Sequence, residues 1–320
     1  MYIHLINRPD RMGANLTWFI MQIIYAHHHK YFIHYDYVEF SHSPFVKMIL
    51  DYIAVYNSEL EVQQQVGGGE HGERKDWIEF SAQDWPGNNM IVCRDTQHDL
   101  VSYFKKHLYE KMIPHTTAFS FASLNNSLIK DPKKTICVHL RLDDVKDRMD
   151  YEGIFSTTYY RTKVDEGRIH IDLEEEHQYG LSQGVWMPGW GRHYNPYDCQ
   201  APIAEHKVQR VIEEAKQKYP EHEVVIMACP LQLPQGQGQG QNNDSLFSKY
   251  TFVGSDDPSQ DLYWMCQCDV LICSRSLFCF SAVYLGSATE YYLPMWGHIA
   301  GTGLTSKYDK NEGLIHYWYS

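Results

Sequence analysis

Two short stretches of this chain hold the residue types that grip a phosphate. In His139-Leu-Arg141-Leu-Asp143-Asp144, a β-rich run ends in His-x-Arg, which sets a guanidinium at the rim of a sheet. That group stays charged and can hold two oxygens of one anion at once, and Asp143 and Asp144 can anchor it. In Ser274-Arg-Ser276-Leu277-Phe278, a Ser-rich turn opens an apolar helix, so free N–H groups and hydroxyls meet at a helix N-terminus, a ready anion site. Taken alone, the first stretch also reads as a structural ion pair and the second as an ordinary buried α/β unit. A third candidate group is acidic. Glu70 lies within the Gly-rich run Gln63–Gly72, and Glu73 and Asp76 follow it, where a hinged loop can bring a carboxylate to a proton; each also reads as a solvated charge.

The elements that must position these groups alternate. Tyr2–Asn7 reads as a strand, Arg8–Asn15 as a loop, Leu16–His28 as an apolar helix, Tyr31–Phe40 as a strand and Pro44–Tyr56 as a helix. Short strands at Trp77–Phe80 and Met90–Cys93 and helices at 97–112 and 117–128 complete a first α/β series. Asp131-Pro132 breaks the pattern. A second series follows: strand 135–140, helix Pro202–Lys218, strands Glu223–Ala228 and Tyr250–Val253, the helix–strand–helix unit 261–286 and strand Tyr291–Leu293. Gln235–Gln241 reads as a solvated loop, and Tyr159–Cys199 as an elaborated insertion. The expected domains are 1–130, 131–300 and a tail, 301–320.

Composition narrows the partners. At 320 residues, 43% apolar and 21% charged, the chain is globular and long enough for a real core. A net charge of −12 argues against binding a nucleic-acid backbone. The 24 Tyr and 8 Trp suit sugars and bases, or simply fill a wet core. The 8 Cys show no regular framework, and Cys93, Cys137, Cys229 and Cys273 sit in apolar runs as small hydrophobes, which points to a reducing compartment. Cys266, Cys268, Cys273 and Cys279 lack the paired Cys-x-x-Cys knuckles of zinc sites, so no metal site is expected. Met1-Tyr2-Ile3-His4 has no basic leader region, and Leu16–Ala26 is too short to span a bilayer. A soluble, cytoplasmic protein without a membrane span is expected.

In their order along the chain the motifs resemble the fucosyltransferase superfamily, inverting GT-B-type enzymes that include α1,2-, α1,6- and protein O-fucosyltransferases. His139-Leu-Arg141-Leu-Asp143-Asp144 resembles that family's His-x-Arg-Arg-x-Asp. Asp261-Leu-Tyr-Trp-Met-Cys-Gln-Cys with Ser276-Leu-Phe278-Cys is similar to its Asp-Leu-x-x-Met-x-x-Cys and Ser-Ser/Thr-Phe-Ser. Arg11-Met-Gly13-Ala-Asn15 resembles its Gly/Arg-x-Gly-Asn loop. The likeness covers the first 30 residues and most of 134–293; residues 31–130 carry nothing specific.

The resemblance implies roles. Arg141 binds the donor diphosphate, with Ser276 and the backbone of Leu277 and Phe278 on the same phosphates. His139 lines the donor pocket, Asp256 or Asp257 contacts the nucleobase or ribose, and Arg11, Gly13 and Asn15 face the leaving group. Three departures stand out: Leu142 replaces the second Arg, Ala14 separates Gly13 from Asn15, and Arg275 precedes Ser276 where a small polar residue is usual. They leave the donor open between GDP-fucose and another nucleotide sugar such as UDP-xylose.

The expectation is therefore an α/β, GT-B-like fold of two Rossmann-like domains facing a cleft, transferring a sugar from a nucleotide-diphosphate donor to a glycan hydroxyl with inversion. No Asp-x-Asp triplet occurs in the chain, and Arg with helix N-termini can stabilise the departing phosphate without metal, so no cofactor is expected. The acceptor's proton would pass to Glu70, Glu73 or Asp76, with Asp36 and Asp84 next in line. A non-catalytic carbohydrate-binding relative is the rival from a different class; it would have no need of a diphosphate clamp.

Overall fold

A computed structural model of the chain describes residues 1–7, 11–66, 77–78, 100–113, 129–141, 203, 205–228, 246–294 and 315–318. It is mixed α/β with parallel sheets and divides into two units, Met1–Asn126 and Ser127–Ser320.

The first unit holds β1 (Tyr2–His4), α1 (Met12–His29), β2 (Phe32–His34), α2 (Pro44–Val66), β3 (Trp77–Ile78), α3 (Leu100–His107) and the single turn α4 (Tyr109–Met112). Its sheet runs β2-β1-β3, parallel throughout. Helix α1 is buried on nearly every side from Met12 to Ile24, as a helix apolar all round must be. It starts before the expected Leu16, because burial of its whole first turn offsets the roughly 1 kcal/mol that Gly13 costs a helix. It ends at Lys30, whose left-handed backbone (φ 57°, ψ 45°) lets its N–H reach the carbonyls of Ala26 and His27.

The strand expected over Tyr31–Phe40 shortens to Phe32–His34. The reason is Asn7, whose amide accepts from Glu39 N–H at 2.7 Å and donates to the Tyr37 carbonyl at 2.8 Å, taking up backbone that a longer strand would pair. Two more amides do the same work. Gln22 brackets Ile6 (3.2 and 3.3 Å), and Asn57 brackets Ile33 (3.0 and 2.7 Å). Helix α2 outruns its expected end at Tyr56, since Glu59, Leu60, Glu61 and Gln63 are all good helix formers; the loop expected from Gln63 therefore begins as helix. The expected helix 97–112 is broken at Leu108. The expected strand Met90–Cys93 and helix 117–128 lie outside the described residues.

The second unit holds β4 (Thr135–His139), α5 (Glu205–Lys218), β5 (Glu223–Met227), β6 (Thr251–Val253), α6 (Pro258–Gln267), β7 (Val270–Ile272), α7 (Leu277–Leu285), β8 (Glu290–Pro294) and β9 (Ile315–Trp318). All six strands are parallel, in the order β6-β5-β4-β7-β8-β9. Strand β4 is buried at every residue, as the middle of a sheet covered on both faces should be. Ile136 and Val138, with Val224, Ile226, Val270 and Ile272, pack on Val208, Val211, Ile212 and Ala215 of α5. Cys137 points the other way, its thiol hydrogen-bonded to that of Cys268. Five cysteines, Cys137, Cys266, Cys268, Cys273 and Cys279, are buried and free. Within the stretch expected to be a tail, Ile315–Trp318 is the sheet's edge strand, paired with β8.

Candidate functional site

Renumbered from β4, the six strands run 3-2-1-4-5-6, so the sheet's order reverses between β4 and β7. In open parallel sheets, ligands bind at the carboxyl ends of the strands flanking such a reversal. Both phosphate-type motifs lie there. His139 is the last residue of β4, and Ser274 follows β7 by two residues. The side chains meet: His139 Nδ1 lies 2.7 Å from Ser274 Oγ, and the imidazole is 5.9 Å from the Phe278 ring. Arg141, two residues past β4 and half-buried, donates from a terminal nitrogen to the Arg275 carbonyl at 3.3 Å. This bond ties the strand end to the Ser turn.

Ser276 is the N-cap of α7, its extended backbone (φ −143°, ψ 127°) turning the chain into the helix. Its Oγ accepts from Phe278 N–H at 3.3 Å, so the cap occupies one of the first-turn donors. Val138, His139, Arg141, Val208, Ile272 and Ser274 are among the residues lining a small pocket at these strand ends.

Burial, then the nearby Arg275 and Arg210, hold the Lys207 ammonium below its ordinary range. Lys207 comes from the first turn of α5 and lies close enough to Arg275 to feel its charge, so it joins Arg141 and Arg275 near this end of the sheet. Burial, and then the Arg141 charge, push the His139 imidazole down to about 3. It is therefore neutral at physiological pH and serves as a hydrogen-bonding and packing group. A pocket with Arg141 and Ser274 on its lining, beside the turn that leads into α7, is suited to an anion.

The remaining expected residues fall elsewhere. Asp257 caps α6, accepting from Ser259 N–H at 2.8 Å, and Asp256 is exposed beside it. Asp261, in the Asp-Leu-x-x-Met stretch, is buried and holds Ser255 N–H at 2.8 Å, which fixes the turn bearing both acids. Arg11 is the exposed N-cap of α1 in the first unit. Gly13 and Asn15 are not in a loop: both are buried inside α1, where Asn15 bonds the Arg11 carbonyl through its N–H (3.1 Å) and its amide nitrogen (3.4 Å). Leu277 and Phe278 form the first turn of α7, half-buried. Glu70, Glu73, Asp76, Asp84, Leu142, Asp143 and Asp144 lie outside the described residues.

Two contributors were missed in the sequence. Lys207 had no motif to flag it; the signal was its i, i+3 spacing with Arg210 at the start of an amphipathic helix. Arg275 stood out only as a departure from the family pattern, although its carbonyl receives Arg141. No family model matches the chain, and no curated protein or solved structure matches it.

Proposed function

We propose that this chain is an inverting glycosyltransferase of GT-B-like design that uses a nucleotide-diphospho-sugar, GDP-fucose by resemblance, and a glycan acceptor. The observation that supports this most is the meeting of His139 and Arg141 with the 274–276 turn at the reversal point of the parallel sheet. In this reading Arg141 forks onto the diphosphate, aided by Arg275 and Lys207, while Ser276 and the Leu277 backbone N–H complete the cradle. Neutral His139 holds Ser274 in place and lines the pocket. Asp256 or Asp257 takes the nucleobase or ribose.

In the reaction the bond from the anomeric carbon to the diphosphate oxygen breaks as a new bond forms to the acceptor oxygen on the opposite face. The acceptor's proton passes to a carboxylate, for which Glu70, Glu73 and Asp76 are the candidates, and the negative charge on the departing diphosphate is held by the cations. For Arg11, Gly13 and Asn15, at the start of α1, a leaving-group role is what the family resemblance implies.

The test is thermal shift of the full chain against GDP, UDP, GDP-fucose and UDP-xylose, repeated with EDTA. A true donor nucleotide at 100-fold over its Kd adds about 2.7 kcal/mol of stability, with or without chelator. Arg141→Ala should abolish that shift while melting near the unliganded parent, and Arg141→Lys should restore it poorly, because one ammonium cannot copy the planar fork. The reading fails if no nucleotide shifts the parent, or if Arg141→Ala responds as the parent does. A response to glycans alone would favour the carbohydrate-binding rival.

A further inference from the structure

At the other sheet a second set of groups converges, of which only Asp36 enters the transferase reading, as a reserve candidate for the base. Strands β1 and β2 are parallel neighbours with His4 opposite His34 in register, so both imidazoles leave the same face at the carboxyl end of the pair. The rings are 5.4 Å apart, edge to face. Asp36, two residues beyond β2, turns back onto them: one carboxylate oxygen is 3.4 Å from His4 Nε2, and the other is 3.8 Å from His34 Nε2. One ligand atom from each residue lies within 4.8 Å of the others.

From these positions we infer a binding site for a divalent first-row transition ion of the zinc class, held by His4, His34 and Asp36. The spacing fits the chemistry. Metal–ligand bonds of about 2.0–2.2 Å at tetrahedral angles separate neighbouring ligand atoms by roughly 3.4 Å; with one atom from each residue the set here lies within 4.8 Å, a spread that rotation of the exposed His34 and Asp36 side chains can close. Two imidazoles and one carboxylate are also a donor set that binds such ions while leaving coordination positions open. The exposure of Asp36 and His34, 75% and 47% of their side chains, leaves room for water or an outside ligand on the remaining positions. The scaffold is fixed from behind. Leu5 N–H bonds the His34 carbonyl at 2.8 Å, and the Asn7 amide clamps the backbone of Tyr37 and Glu39, so the segment carrying Asp36 is tied to the end of β1 on both sides. The site belongs to the first unit alone and is independent of the nucleotide clamp.

The experiment titrates Co²⁺ and Zn²⁺ into the full chain and its His4→Ala, His34→Ala and Asp36→Asn variants, all freed of metal first. The expected result is a visible Co²⁺ absorption band that saturates at one ion per chain, is displaced by Zn²⁺ and is lost or weakened at least tenfold in each variant. Since the chain has other His and Cys residues, a band that persists unchanged in all three variants overturns the site, as does the absence of any saturable band. GDP-induced thermal shift, read on the same proteins, should stay unchanged, so failure here leaves the transferase reading untouched and the converse.

Discussion

Asn57 is a single side chain doing the work of a strand. It satisfies both the N–H and the carbonyl of Ile33, a residue only 3% exposed, and leaving buried backbone groups unpaired costs about 1–3 kcal/mol each. Asn57→Ala should therefore lower stability by about 2–4 kcal/mol in denaturant melts, whereas a nearby exposed change such as Val55→Ala should cost far less. Titration gives a second prediction. Burial, then the Arg141 charge, hold His139 down to about 3, and burial, then Lys111, His107 and His28, hold His27 down to about 4. Unfolding restores both to near 6.5, so between about pH 6.5 and 4 the unfolded chain binds protons that the folded chain refuses, and stability falls as pH falls. Asp261 opposes this: burial raises its carboxyl to about 6 from 3.8, against hydrogen bonds from Ser255, so its share of stability falls as pH rises through that range. The two histidines outnumber it. The net slope should favour higher pH by up to about 1.4 kcal/mol per pH unit, and His139→Gln should flatten it in denaturant melts at pH 4.5–7. At this scale the placement of His139 at a strand end and of Ser276 at a helix start was legible in the sequence, because strand-end and helix-cap positions follow from local pattern. The sequence hid Lys207, Asn57 and the Asp36 cluster, whose partners lie far along the chain.

Helices α6 and α7 show how an element's end is set by its neighbour. Gly286 closes α7, its N–H bonding the Ala282 carbonyl at 2.8 Å, and Ser287 N–H then reaches the Cys266 carbonyl at the end of α6 at 3.1 Å. A Cβ on Gly286 would lie 2.6 Å from the Ala282 oxygen and 3.1 Å from the Cys266 Cα. The need here is space and not backbone freedom, since φ is −85°. Gly286→Ala should cost about 1–3 kcal/mol, and because α7 begins at Ser276, loosening it should, under the proposed transferase function, also reduce any GDP-induced thermal shift; paired thermal scans with and without GDP check both. Strands such as Glu223–Met227 and Val270–Ile272 could be read within a residue or so, since continuous apolar runs bounded by turns mark buried parallel strands. The start of α1 could not, because Gly13 and Asn15 look like loop residues until burial overrides propensity.

The order of the six-stranded sheet is a property of the whole chain that no local pattern carries. Alternation of strand and helix pointed to a parallel α/β layer, yet only the pairing of β4 with both β5 and β7 defines the reversal that brings two motifs, 135 positions apart at His139 and Ser274, into contact. The same global pairing explains why Ile315–Trp318 does not show as a strand in the sequence: four residues with one strand partner have no periodicity to announce them. Their place at the rim has a consequence for the ribosome and for expression. Strand β8 runs Glu290-Tyr-Tyr-Leu-Pro294, buried at every position, and nothing C-terminal to it but β9 is available to cover its outer backbone among the described residues. Until Ile315 emerges during synthesis, or permanently if the chain is cut before it, Tyr291, Tyr292 and Leu293 present an unpaired apolar edge, the template on which sheets of different molecules join. A chain ending at residue 312 should partition into aggregates at concentrations where the full chain stays dispersed, as light scattering would record, and adding a peptide of residues 313–320 during refolding should suppress it.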